Sequence, residues 1–164
     1  MSLVYGGALI PREGTITSML GRDVRDRRRQ ASRKDGSGKE AVTHYKVMED
    51  YGPIAMVECV LDTGRTHQIR VHMAEQGHPL VGDPVYGGTK SKWFPRQPEL
   101  RSLVSELRGQ MLHAAVLGFI HPRTDEYVRF RRKPHDEMMG VIRGLRTFAG
   151  MDPDAPGPWD RETT

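Results

Sequence analysis

The chain has 164 residues, enough for one domain with a modest core, and its apolar share of 37% is low for a globular domain. Its 25 basic and 21 acidic side chains leave a net charge of +4, which favours an acidic partner such as nucleic acid without proving one. The single cysteine, Cys59, excludes an internal disulfide and a cysteine-built zinc site. No apolar run reaches the ~18 residues of a membrane span, so we expect a cytoplasmic protein without membrane contact.

The first quarter of the chain predicts one short strand and a long polar segment. Residues 3–10 favour a strand that begins abruptly, which indicates the later part of a longer domain; an ordinary edge strand is the alternative. Residues 11–42 are polar, and a basic loop over residues 22–40 is too charged to be core. We expect this loop to bind RNA phosphates, with a merely solvated loop as the alternative. Its basic residues are Arg22, Arg25, Arg27, Arg28, Arg29, Arg33 and Lys34.

The rest of the chain predicts strands, helices and a tail. Residues 42–50 and 54–62 alternate as strands, and the second has a wholly apolar side (Ala55, Val57, Cys59, Leu61) typical of a half-buried antiparallel strand. Residues 65–76 predict a helix that ends at Gly77. Further on, the pattern predicts a short amphipathic helix (98–108), a hairpin (111–120 and 125–132), a final helix (135–148) and a flexible tail (151–164).

This order of elements favours an α+β domain over residues 1–150, built on a mostly antiparallel mixed sheet with flanking helices. Phosphate-loop and nucleophile-elbow motifs are absent. His67 and His72 are five positions apart, about 140° around a helix, so they do not converge on a metal ion, and we expect no metal or cofactor.

The densest polar cluster is GRTHQIRVH, residues 64–72, which opens the predicted helix directly after a strand. Free N–H groups at a helix start attract anions, and Arg65 adds a positive charge. The residues alone leave two interpretations open, an anion site or a capping cluster with surface charges.

This cluster, followed by GHPLVGDPVYGG, resembles the signature of ribosomal large-subunit pseudouridine synthases, nearest the D type. LVYGGALIPREGTI, AVTHYKVME and LHAAVLGFIHP resemble other segments of the family, so the resemblance covers residues 3–135. These isomerases convert uridine in RNA to pseudouridine without a cofactor, and they flip the target base out of the RNA. The resemblance implies the same fold and activity, with large-subunit ribosomal RNA as the substrate.

The resemblance also implies roles for single residues. Arg70 matches the basic partner of the family's catalytic aspartate, since a nearby cation keeps a carboxylate ionised and oriented. Residues 80–86 lie near the active site in the family, with plain turn packing as the alternative. The residues implied to bind substrate are Arg65, Thr66, His67, Gln68 and Ile69.

One departure from the family is serious. The catalytic aspartate of the family lies upstream in an H-R-L-D-x-x-T-S-G motif, which this chain does not contain. Asp23 and Asp26 lack the Thr-Ser-Gly turn, and Asp83 belongs to the later loop. We therefore expect an N-terminally truncated catalytic domain that is inactive alone.

Two alternatives are a non-catalytic RNA-binding remnant of the same fold and a protein-interaction module, although the second leaves the arginines without a use. An incomplete sheet also predicts self-association through an exposed sheet edge.

Overall fold

A computed structural model describes residues 1–7, 11–87 and 95–160. The strands are β1 (Ser2–Tyr5), β2 (Glu13–Arg22), β3 (Gln30–Ser32), β4 (Lys39–Asp50), β5 (Ile54–Leu61), β6 (Val116–Ile120) and β7 (Tyr127–Arg131). The helices are α1 (Gln68–Glu75), α2 (Pro98–Val104) and α3 (Asp136–Phe148), with a 3-10 turn at Pro158–Asp160. Strands β1 to β5 form one sheet in the order β1-β5-β4-β2-β3, and β6 pairs with β7 in a separate hairpin. All strand pairs are antiparallel, so the predicted α+β class is confirmed.

Both faces of the sheet are covered at its centre. Ile54 and Met56 of β5 pack with α2 and α3, whereas Ala55 and Val57 face the α1 side and pack with Met73. The prediction of a half-buried β5 is therefore wrong for its first half. The predicted apolar side also ends early, because Leu61 is 40% exposed beyond the helices that cover the sheet.

Strands β2 and β3 lie within the polar segment 11–42, where the sequence indicated no strand and predicted a basic loop over residues 22–40. β2 pairs with β4 from Glu13↔Lys46 to Leu20↔Lys39, and its buried Ile16 and Leu20 lie on one face. Three of the other eight positions are threonine or serine and two are charged, so the strand looks polar in sequence although one face is covered. The predicted basic loop thus divides into the end of β2, a turn over residues 23–29, β3 and the start of β4.

The later elements agree better with the prediction. α3 lies where the pattern placed it, α2 ends four residues early, and β6 forms only the second half of the predicted strand at 111–120. Gly77 has a φ of +86°, which glycine adopts without strain, and it follows α1 as predicted.

The outer edge of β1 is not exposed, contrary to the expected open sheet edge. The backbone N–H of Leu3 donates to the Met111 carbonyl at 3.0 Å, and the Val81 N–H donates to the Leu3 carbonyl at 2.9 Å. Segments around residues 79–81 and 111–113 thus cover this edge, which removes the reason for self-association at that place.

The C-terminal segment is packed, not frayed, as far as residue 160. Arg146, which is buried, pairs with Glu49 at 2.6 Å and also donates to the carbonyls of Pro153 and Ala155. Trp159 is buried in the main core cluster. The predicted flexible tail is wrong for residues 151–160 because these contacts hold it. Residues 161–164, like residues 8–10 of the first predicted strand, lie outside the described part of the chain.

Within the described ranges, no helix combines the length and the apolar character needed to cross a membrane.

Candidate functional site

Helix α1 begins at Gln68, three residues later than predicted. His67 precedes it in the left-handed region, with φ 57° and ψ 18°, so the chain turns sharply before the helix starts. A non-glycine residue in this region is uncommon and is often found at functional sites. The turn directs the His67 ring away from the helix axis, towards the loop that follows α1.

Gln68 fixes this turn to the sheet. Its Oε1 accepts hydrogen bonds from Thr63 Oγ1 and from the Arg65 backbone N–H, both at 2.9 Å. Its Nε2 donates to the Val42 carbonyl and to Thr43 Oγ1 at 2.9 and 3.0 Å. These four bonds use the full capacity of the amide. Protein groups therefore occupy all four hydrogen-bonding positions of the Gln68 side chain, and its predicted substrate contact stays a prediction.

A second buried network holds α1 against β4. Thr43 Oγ1, which accepts a hydrogen bond from Gln68, lies 2.9 Å from His72 Nδ1. On the other side of the ring, His72 Nε2 lies 2.9 Å from Ser18 Oγ, so both ring nitrogens have a hydroxyl partner. Burial lowers the pKa of His72, which agrees with a neutral ring.

The centre of the site is a buried ion pair between Arg70 and Asp83. Arg70 Nε and Nη2 donate to the two carboxylate oxygens at 2.8 and 2.9 Å. Asp83 Oδ1 also accepts the backbone N–H groups of Val85 and Tyr86. Burial alone would raise the pKa of Asp83, but the hydrogen bonds from Arg70 and these two N–H groups lower it below its usual value. Asp83 is thus an anion that orients Arg70.

Tyr86 connects Arg70 to the turn over residues 23–29, which we call the basic turn. The guanidinium carbons of Arg29 and Arg70 each lie 5.0 Å from the centre of its ring, within cation–π range. Its hydroxyl accepts the backbone N–H of Gln30 at 2.9 Å and lies 3.0 Å from His67 Nδ1. The hydroxyl thus contacts both the backbone of β3 and the His67 ring.

We call Arg29, His67, Arg70, Asp83 and Tyr86 the Arg70 cluster. Burial, followed by the charge of Arg70, lowers the pKa of His67, so its ring is neutral at neutral pH. Sequence reasoning placed Asp83 and Tyr86 only in a loop near the site. The signal for a specific role was one aspartate, followed three positions later by a tyrosine, in an otherwise apolar and glycine-rich loop.

The other predicted binding residues lie around this cluster. Arg65 and Thr66 are exposed, and Arg65 Nε donates to the Glu40 carbonyl at 3.0 Å. Ile69 is half-buried and packs against the core cluster that contains Val4, Ala55 and Val57.

The basic turn is ordered by its own aspartates. Asp23 accepts the N–H groups of Arg25 and Asp26, and Asp26 pairs with Arg28 at 3.2 Å. These aspartates act as turn caps, which agrees with excluding them as catalytic groups. Arg22, Arg25, Arg27, Arg28 and Lys34 are exposed, whereas Arg29 and Arg33 are half-buried.

Arg33 and Arg29 differ in their partners. Arg33 is tied to Asp35 at 2.6 Å and to the Arg22 carbonyl. The Nε of Arg29 is buried and has no hydrogen-bond partner within the described ranges. The Nε–H of Arg29, a member of the Arg70 cluster, is therefore a donor for which the described residues supply no acceptor. In the same ranges, no group of three or more His, Cys, Asp or Glu side chains is arranged to hold a metal ion.

The chain is similar to known proteins over most of its length. The family model for RNA pseudouridylate synthase matches residues 3–75, which span β1 to α1. The chain is 46% identical to the RNA pseudouridine synthase YlyB of Bacillus subtilis, over 87% of this chain and 42% of that protein. It is 45% identical to the ribosomal large subunit pseudouridine synthase D of Neisseria meningitidis, over 88% of this chain and 38% of that protein.

A solved structure agrees as well. Human RNA pseudouridylate synthase domain containing 1 superposes with a TM-score of 0.63 at 26% identity, over 93% of this chain and 66% of that one. The chain belongs to the RNA pseudouridine synthase family, as its motifs indicated. Several of its curated relatives are named ribosomal large subunit pseudouridine synthase D, which confirms the type expected from the sequence. The chain spans about two fifths of the length of the curated relatives it matches.

Proposed function

We propose that this chain forms part of an enzyme that isomerises uridine to pseudouridine in RNA, with Arg70 as the cation beside the catalytic carboxylate. The observation that carries the proposal is the buried Arg70, which lies inside the segment that the family model matches and pairs with Asp83 beyond the end of that segment. Large-subunit ribosomal RNA is the proposed substrate, because relatives at 43 to 45% identity carry that activity in their names. Such a substrate also supports the cytoplasmic location expected from the sequence.

The chemistry breaks the bond between ribose and uracil nitrogen and rejoins the base through carbon. A carboxylate assists this step, and it must be ionised and held in one orientation. Arg70 suits this task, because Asp83 takes its Nε and Nη2 donors and fixes the plane of the guanidinium. Among the described residues Asp83 takes only Nε and Nη2, so the Nη1 donors are proposed to serve a second carboxylate.

Asp83 itself is a poor candidate for the catalytic carboxylate. It has no exposed surface, and Oδ1 already accepts two backbone N–H groups besides Arg70. Asp23 and Asp26 cap the basic turn. We therefore propose that the carboxylate comes from polypeptide outside this chain, and that the chain alone is inactive.

RNA is the proposed macromolecular partner, and the basic turn is its contact. Arg25, Arg27 and Arg28 are exposed on one short turn, and planar guanidinium groups bind phosphates in bidentate fashion. Tyr86 joins this turn to Arg70 through Arg29 and Gln30. RNA held by the turn would therefore lie next to the reacting group. The covered β1 edge gives no support to self-association through the sheet.

The test is tritium release from large-subunit ribosomal RNA labelled at carbon 5 of uridine. It compares this chain with a chimera in which the chain replaces the aligned region of the Bacillus subtilis relative. We expect release by the chimera only, and at least a ~100-fold slower rate after Arg70→Gln, because an oriented charge at a reacting centre contributes several kcal/mol. Arg143→Gln, in the exposed pair with Asp154, is the matched control and should leave the rate unchanged.

Each outcome decides between the candidate functions. Release by the short chain alone would show that a carboxylate of this chain suffices. A folded chimera without release, but with RNA binding, would favour the non-catalytic RNA-binding remnant. Absence of both would contradict the proposed function.

A further inference from the structure

Arg29 is held in one position by contacts that leave its hydrogen-bond donors unused. Its backbone N–H donates to the Asp26 carbonyl at 2.9 Å, and its carbonyl accepts the Asp23 N–H at 3.0 Å. Its guanidinium carbon lies 5.0 Å from the centre of the Tyr86 ring. Contacts of the backbone and of the ring therefore place this side chain before any ligand binds.

One of the unused donors is buried. Arg29 Nε is shielded from solvent, and among the described residues it has no hydrogen-bond partner. A buried donor without an acceptor lowers stability, and native proteins retain few such groups. The residue as a whole is only half-buried, so a ligand can approach the guanidinium from the solvent side. An acceptor brought by a ligand would offset the loss of hydration at this group.

The nearby carboxylates already serve other donors. Asp26 pairs with Arg28 at 3.2 Å, and Asp35 pairs with Arg33 at 2.6 Å. Asp23 accepts backbone N–H groups of the basic turn. The acceptor for Arg29 must therefore come from outside the described residues.

The surroundings of Arg29 favour an anion as this acceptor. Arg25 and Arg27 are exposed on the same turn, and Arg70 lies beside the same tyrosine ring. Positive charges that lie close together attract polyanions, and a planar guanidinium matches the oxygens of a phosphate group. RNA, the proposed substrate, supplies one such group in every nucleotide.

Arg29 also lies close to the proposed place of reaction. The guanidinium carbons of Arg29 and Arg70 each lie 5.0 Å from the centre of the Tyr86 ring, so they cannot be further apart than twice that distance. One nucleotide can bridge such a span between its phosphate and its base. We propose that Arg29 binds the backbone phosphate of the nucleotide whose base reacts beside Arg70. The inference rests on the proposed function, because the RNA substrate and the place of reaction come from it.

Binding of a short fluorescent oligouridylate to the chain tests the contact. Arg29→Met keeps the aliphatic part of the side chain beside Tyr86 and removes the charge. We expect it to lower the affinity at least ~10-fold, because hydrogen bonds between charged groups are strong where water is excluded. Arg27→Met removes the same charge from an exposed site on the same turn and should lower the affinity less than ~5-fold. Arg29→Lys keeps the charge but loses the planar fork, so it should recover only part of the affinity.

The salt dependence of binding identifies the group that Arg29 contacts. A phosphate contact releases condensed cations, so Arg29→Met should reduce the slope of log affinity against log salt by about 0.7. A contact with a base would leave this slope unchanged. Arg143→Met, in the exposed pair with Asp154, is the control and should change neither the affinity nor the slope.

Thermal stability separates ligand binding from a structural role. Arg29→Met removes a donor without an acceptor from the folded protein, so its melting temperature should equal that of the unchanged chain or exceed it. Arg33→Met removes donors that have acceptors in Asp35 and in the Arg22 carbonyl, and it should lower the melting temperature. A variant that binds RNA more weakly without being less stable has lost a ligand contact.

Four results of these experiments would overturn the proposal. The first is an equal loss of affinity in Arg29→Met and Arg27→Met, which would make Arg29 equivalent to an exposed cation. The second is a loss of affinity that accompanies a lower melting temperature. The third is a loss of affinity with an unchanged salt slope. The fourth is the absence of oligouridylate binding by the unchanged chain.

Kinetics in the chimera described above test where the phosphate lies. Arg29→Met should lower kcat/KM for tritium release at least ~10-fold, and Arg27→Met should lower it less. Unchanged kcat/KM in an active Arg29→Met chimera would place the phosphate away from the reacting nucleotide and contradict the proposal. The binding and stability results need no pseudouridine formation, so the proposed function can fail separately.

Discussion

At the scale of single residues, the Arg70–Asp83 pair is both charged and buried. Both groups are buried, so removing one leaves a charge without a partner in a medium of low polarity. Asp83→Asn keeps an oxygen that can accept the N–H groups of Val85 and Tyr86 but removes the negative charge. We expect it to lower the free energy of unfolding by about 3 kcal/mol in urea denaturation at pH 7. Asp154→Asn, in an exposed pair with Arg143, should change it by less than about 1 kcal/mol. Equal effects of the two changes would show that burial adds nothing to the pair.

Tyr86 offers a second residue-scale test, because its hydroxyl and its ring have separate roles. Tyr86→Phe keeps the ring beside Arg29 and Arg70 but leaves the Gln30 N–H without its acceptor. We expect a loss of about 1 kcal/mol in stability and faster amide exchange at Gln30, since a partly buried donor loses its bond. Tyr127→Phe, on the exposed hairpin, is the control. Unchanged exchange at Gln30 would mean that the basic turn does not depend on this hydroxyl.

At the scale of elements, the buried His72 holds helix α1 against β4. We therefore expect the stability of this contact to depend on pH. Burial lowers the pKa of His72 in the folded protein, so the unfolded chain binds a proton more readily. The contribution of His72 to stability is complete above the unfolded pKa of about 6.5 and is lost as pH falls below it, towards the lower pKa of the folded state.

We therefore expect the unfolding free energy to fall between pH 7.5 and 5.5, by up to about 1.4 kcal/mol per pH unit for one proton. His72→Asn keeps a polar group near Thr43 but cannot be protonated, so this variant should show a smaller loss. His67, whose pKa is also lowered, contributes with the same sign in both proteins. Parallel pH curves for the two proteins would refute a role for His72.

The elements also show what the sequence could and could not predict. β4, β5 and α3 were predictable because their apolar residues repeat with the period of a strand or a helix. β2 was missed because only Ile16 and Leu20 are buried among threonines and serines. The packed C-terminal segment depends on Arg146, which reaches Glu49 across 97 positions of the chain. A contact at that separation leaves no local pattern, and neither does the pairing of Arg70 with Asp83.

At the scale of the whole molecule, charge is distributed unevenly although the net charge is only +4. Seven basic residues lie between positions 22 and 34, and the two nearby aspartates are used in capping the turn. A positive turn beside the Arg70 cluster would attract RNA at long range and hold it by contacts to phosphate. Affinity for RNA should then depend steeply on salt, because each phosphate contact releases condensed cations.

Charge-matched variants test this distribution. Removing Arg25 and Arg27 by Ala substitution should weaken binding to a ribosomal RNA fragment and reduce the slope of log affinity against log salt by about 1.5, at ~0.7 to 0.9 per lost contact. Arg108→Ala with Arg123→Ala removes the same charge from exposed sites elsewhere. If net charge alone attracted RNA, both double variants would flatten the slope equally. If the basic turn is the contact surface, only the Arg25→Ala, Arg27→Ala variant will flatten the slope. Its effect on the slope will also persist when Arg70 is replaced by Gln, because RNA binding by the turn precedes any chemistry at Arg70.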